Sequence, residues 1–144
     1  MARRGLDSVI RLQKWRLDEK RRQLGDLLRL SEQLQGELAG LENELQAEQE
    51  LVAGNFDASY NYGAYARGYI ERRERLQQSL QNVEQQIEAA QEEVRAAFRE
   101  LKTIEITKDN RDKVVAIETG RRQQSELDEL SLNPQRRAMV GRGI

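Results

Sequence analysis

Leu17, Leu24, Ser31, Leu38, Leu45 and Val52 recur every seven residues, and Leu27, Leu34 and Leu41 fall three places after successive members of that set. Apolar residues alternating three and four apart make one narrow stripe on a helix. A stripe that narrow is buried only against another helix. Gln, Glu and Gly fill most positions between, so the remaining faces meet water. The first half of this chain therefore demands a helical partner.

The second half supplies one. Leu80, Ile87, Val94 and Leu101 keep the same period, with Leu76, Val83, Ala90, Ala97 and Ile104 three places before or after. Between the stripes lie Gly54-Asn55, a breaker pair, and the turn formers Asp57, Ser59 and Asn61. The economical solution is all-α: a long antiparallel two-helix coiled-coil hairpin, closed at high effective concentration by its own corner. The expected organisation is a single hairpin over residues 1–144. Helix 1 spans about 7–53, the corner 54–63, helix 2 about 64–131, and residues 132–144 form a disordered tail. Residues 1–5 are expected to fray, with Asp7 and Ser8 capping helix 1. Asn133-Pro134 is expected to stop helix 2. In this register Ser31 faces the Ile87–Ala90 neighbourhood, Leu38 meets Leu76–Leu80, and the first turn near Asp7 lies opposite residues around Asp109.

The two arms are unequal. Helix 1 is about 68 Å long at 1.5 Å per residue, and helix 2 outruns it. Residues from Asn110 to about Ser131 overhang the start of helix 1 with no intramolecular partner. A helix of that size with a broken apolar face is marginal alone. The overhang therefore reads as a docking segment.

Composition narrows the possible functions. Charged residues reach 34% and aromatics only 5%, too lean a mixture for a thick core. Cysteine and histidine are absent, which removes thiolate chemistry and the commonest general base. A two-helix coil also lacks the concave, partly dry site that paired carboxylates need. No phosphate-binding loop, dinucleotide fingerprint or metal-ligand spacing occurs. The expectation is a protein that is not an enzyme and carries no cofactor. A net charge of −1 predicts no bulk attraction to nucleic acid or membrane. Met-Ala-Arg-Arg-Gly-Leu begins no apolar run of signal-peptide or membrane-span length, so the protein is expected to be cytosolic.

Three surfaces remain as candidates for partners. The start of helix 1 is basic, with Arg11, Lys14, Arg16, Lys20, Arg21 and Arg22 around Trp15, the only tryptophan. The overhang carries Arg121, Arg122, Glu126, Asp128 and Glu129. The corner gathers Tyr60, Tyr62, Tyr65 and Tyr69, with Phe56 nearby. One of these tyrosines, Tyr69, suits plugging the end of the coil, and an exposed aromatic cluster is a usual contact surface. Basic residues followed by leucine heptads also describe a nucleic-acid-binding basic zipper. That alternative requires a parallel dimer, and Val9, Ile10, Leu12, Trp15 and Leu17 interrupt its basic run. A generic coiled-coil adaptor is the third reading.

Two stretches carry a resemblance. Leu6 to Leu24 (LDSVIRLQKWRLDEKRRQL) and Leu101 to Leu130, with its Arg121-Arg122 and Glu126-Leu-Asp-Glu-Leu130 runs, resemble the start and the C-terminal helix of the flagellar export protein family FliJ, especially its alphaproteobacterial branch. The corner Tyr62-Gly-Ala-Tyr65 is similar as well. The resemblance implies a stalk-like hairpin in the cytoplasmic part of the flagellar type III export apparatus. It implies docking on the hexameric export ATPase, contact with the membrane export gate, and help to export chaperones. Attachment to the membrane would then be through partners only, at the cytoplasmic face of the flagellar base, by a chain that is a monomer in isolation and binds no nucleic acid. Carried onto this sequence, it makes Arg11, Lys14, Trp15, Arg21, Arg22, Arg121, Arg122 and Asp128 candidates for the ATPase. It makes Tyr62, Tyr65 and Tyr69 candidates for the gate.

Overall fold

The structure is a computed structural model that describes the backbone of residues 2–54 and 59–142 and the side chains of residues 5–54 and 61–132. It contains two helices, α1 (Ala2–Gly54) and α2 (Ser59–Arg142). They pack against each other as an all-α helical hairpin. Two compact units can be distinguished: Leu12–Arg99, and Met1–Arg11 with Glu100–Ile144.

In the larger unit the heptad frame is the buried face. Leu17, Ser31, Leu34 and Leu41 are buried on α1, and Tyr69, Val83, Ala90 and Ala97 on α2. Leu24, Leu27, Leu38, Leu45, Leu76, Leu80, Ile87 and Val94 are half-buried between them. Leu51, only one place from Val52 but off the frame, is 62% exposed. A single residue of offset thus separates a half-buried position from an exposed one, as a narrow seam requires.

Charge pairs mark the antiparallel register. Lys20 Nζ lies 3.1 Å from Glu93, and Arg72 lies 3.9 Å from Glu44. Moving forward along α1 from Lys20 to Glu44 moves back along α2 from Glu93 to Arg72. Lys20, in the basic start of α1, meets Glu93 of α2, and Glu44, in the acidic end of α1, meets Arg72. Each exposed pair is weak, worth up to about 1 kcal/mol. A parallel pairing would set like charges side by side. The Leu24–Leu45 seam that a parallel zipper needs is already occupied by α2.

In the smaller unit Ile10 and Leu101 are buried, Leu6 and Ile104 half-buried, and Asp7 pairs with Lys108. Burial on α2 ends at Asp112, and residues 113–132 are all exposed.

Several helix ends differ from expectation. α1 begins at Ala2, not near residue 7, so Asp7 and Ser8 lie inside the helix and do not cap it. Arg and Ala favour helix, and Gly5 costs only about 1 kcal/mol relative to Ala. Asp7 finds its cation on Lys108 instead. α2 starts at Ser59, which makes residues 59–63 helical and the connection shorter than expected. Residues 55–58, Phe56 among them, lie outside the described residues, as does the side chain of Tyr60. At its other end α2 runs through Asn133-Pro134 to Arg142, where a stop and a disordered tail were expected. Proline removes one N–H and crowds the carbonyl four residues earlier. That cost is local, and the helix continues past it to Arg142.

Candidate docking surfaces

The tyrosine corner is built from the first turns of α2. Tyr62, Tyr65 and Tyr69 are spaced three and four apart, which sets them on one face of the helix. That face is the seam itself. Tyr69 is buried, while Tyr62 and Tyr65 are half-buried with ring centroids 6.5 Å apart. Gln49 Nε2 donates to the Tyr62 hydroxyl at 3.1 Å. Desolvation, helped by the carboxylates of Glu44 and Glu48, pushes the Tyr65 phenol above its ordinary range. The cluster is thus partly a packed end of the coil. Only Tyr62 and Tyr65 keep surface for a partner.

Arg73 was not singled out from the sequence. Its guanidinium carbon sits 5.5 Å from the Tyr69 ring centroid, a cation–π contact. Its Nε is buried without a hydrogen-bond partner. The signal was present, because Arg73 occupies the seam position seven residues before Leu80.

The basic residues of α1 do not form one surface. Trp15 is 62% exposed and shares a face with Arg22, seven residues on. Lys14 and Arg21, also seven apart, share another. Arg22 is engaged by the Glu19 carboxylate and lies 4.0 Å from Asp26. That contact holds Glu19 below the usual carboxylate range and the Arg22 guanidinium above its ordinary value. Lys14 and Arg21 make no ion pair among the described residues. Arg11 belongs to the smaller unit and is exposed there.

The same unit carries the unpartnered part of α2. Arg121 and Asp128 lie seven apart on one face with Val114, Ile117 and Gln124. Gln124 Nε2 donates to Asp128 at 3.2 Å. Arg122 lies about 100° away, on the continuation of the seam. Val114, Ile117, Leu127, Leu130 and Leu132 are each more than half exposed. The seam continues here as Val115, Glu118, Arg122, Ser125, Glu129 and Leu132, mostly polar, which is why no coil forms on it. Among the described residues no cluster of three or more His, Cys, Asp or Glu is placed to hold a metal, and no helix is long and apolar enough to cross a membrane.

A family model described as "Flagellar FliJ protein" matches residues 2–139. No curated protein and no solved structure gives a match.

Proposed function

We infer that this chain, which belongs to the FliJ family and is a non-catalytic component of the flagellar export apparatus, acts there by docking on the hexameric export ATPase and linking it to the export gate and to export chaperones. The observation that carries the reading is the bare stretch of α2. Residues 113–132 are exposed along their whole length and present Arg121, Arg122 and Asp128 beside uncovered apolar side chains. An apolar helix face flanked by charge is a common helix-in-groove ligand. Arg11, Lys14, Trp15, Arg21 and Arg22 are the further candidates for the ATPase; of these, Arg22 must first be released from Glu19. Tyr62 and Tyr65 are proposed as the gate contact, with Tyr69 supporting them from the seam. In this reading the protein is monomeric in isolation and works at the cytoplasmic face of the flagellar base.

Co-purification with the export ATPase tests it. Deleting Arg121–Leu130 is expected to abolish capture while the hairpin stays folded. Capture at full strength by the deleted chain overturns the reading.

A further inference from the structure

The larger unit leaves a groove along one side of the hairpin. A hollow of about 530 Å3 lies over Leu41 and Leu76 and runs on into a smaller one of about 160 Å3 beside Tyr65 and Tyr69. Leu41 and Arg72 line both hollows. Two missing side chains open it. A Cβ added at Gly40 or at Gly68 would meet nothing within 4 Å. The floor is therefore apolar and aromatic, and the walls are thinned by glycine on both helices.

The walls have opposite sign. On α1 the wall is Glu37, Gly40 and Glu44, spaced three and four apart. On α2 it is Tyr65, Gly68, Arg72 and Arg75, at the same spacing. Both walls therefore run along their helix axes, as a groove for a third helix must. Glu44 and Arg72 reach across the mouth to 3.9 Å, and each is about 60% exposed. A contact that solvated parts easily.

We propose that this groove receives one amphipathic helix of a partner protein, its apolar ridge on Leu41, Leu76 and Tyr65, with a cationic edge along Glu37 and Glu44 and an anionic edge along Arg72 and Arg75. A helix whose two edges carry the same charge is repelled by one wall. A helix with unlike edges satisfies both walls in one direction only, because turning it end for end exchanges its edges. The groove thus selects its ligand and sets its polarity. This goes beyond the proposed function: the groove uses none of the residues offered to the ATPase and shares only Tyr65 and Tyr69 with the gate contact.

The test uses the full chain and three labelled synthetic helical peptides of about 21 residues, three heptads. All share an Ala/Leu ridge. One has a Lys edge and a Glu edge, one has two Lys edges, and one has two Glu edges. Fluorescence anisotropy is expected to show the unlike-edged peptide binding at least about tenfold more tightly than either other. Gly40→Leu and Gly68→Leu should each weaken it about tenfold or more, with unchanged thermal melting. Arg72→Glu combined with Arg75→Glu makes both walls acidic and should move the preference to the two-Lys peptide, which keeps the proposal testable should the leucine variants misfold. Equal affinity for all three peptides, no binding of any, or undiminished binding by folded leucine variants overturns it.

Discussion

Lys108 Nζ lies 2.5 Å from the Asp7 carboxylate, within the smaller unit. Lys108 stands one heptad after Leu101, at the seam position where the apolar pattern gives out. Beyond Asp112 α2 has no further burial through Leu132. The last inward-facing seam position is thus held by charge instead of packing.

That pair makes a small part of the fold's stability sensitive to alkali. Its hydrogen bond and charge interaction with Asp7 raise the Lys108 ammonium above its ordinary pKa. A raised cation stabilises fully below the unfolded-state value, about 10.4, and the contribution is lost as pH rises through the folded value. Thermal melts between pH 9 and 11.5 should lose stability through this step, and Lys108→Met should flatten it.

Leu41 is 3% exposed and Leu51 is 62% exposed. Leu41→Ala removes buried methyl groups from the seam and is expected to cost about 2–5 kcal/mol. Leu51→Ala should stay within about 0.5 kcal/mol of the parent. Urea unfolding followed by circular dichroism compares them directly.

Gln13 is buried, and its Oε1 has no hydrogen-bond partner. An unsatisfied buried acceptor costs about 1–3 kcal/mol. Gln13→Leu should therefore raise the unfolding midpoint, which a polar residue serving stability would not allow.

Glu92 accepts from Arg99 at 3.0 Å and from Arg95 at 3.2 Å, both on its own helix. Arg99 first, then Arg95, holds its carboxyl below the usual range. The stabilisation is present above the unfolded-state value, about 4.3, and is lost as pH falls through the folded one. Side-chain carbon NMR should find Glu92 titrating below the ordinary glutamate value, about 4.3, and Arg99→Ala should move it back up.

Ending the chain after Asp112 removes residues 113–132, which are all exposed, together with the segment that follows them. The unfolding free energy should change by less than about 0.5 kcal/mol, while the helical circular-dichroism signal drops by about a fifth. A large loss of stability would mean that the bare part of α2 supports the hairpin.

Much of this architecture was legible in residue order. The period of Leu17–Val52 named the buried face, and the return of that period at Leu76–Leu101 named its partner. The expected opposition of the turn near Asp7 to residues around Asp109 matches the observed Asp7–Lys108 pair. The end of burial was also near its expected place, because Arg111 and Glu118 on the frame announce a seam that no apolar partner can share. Helix ends were less legible. Capping and stopping signals at Asp7, Ser8 and Asn133-Pro134 are local preferences of about 1–3 kcal/mol, and continuous helix on either side overrode them.

Taken alone, the sequence determined that two helices must form and which stripe of each must be hidden, since a seven-residue apolar period has no other way to leave water. Only the tertiary structure decided what the rest of the surface offers. It left Trp15 outside the seam, stacked Arg73 on the Tyr69 ring, and set Gly40 and Gly68 along one groove. Those outcomes depend on the rotation and offset of one helix against the other, and a periodic pattern specifies these only to within the width of its stripe.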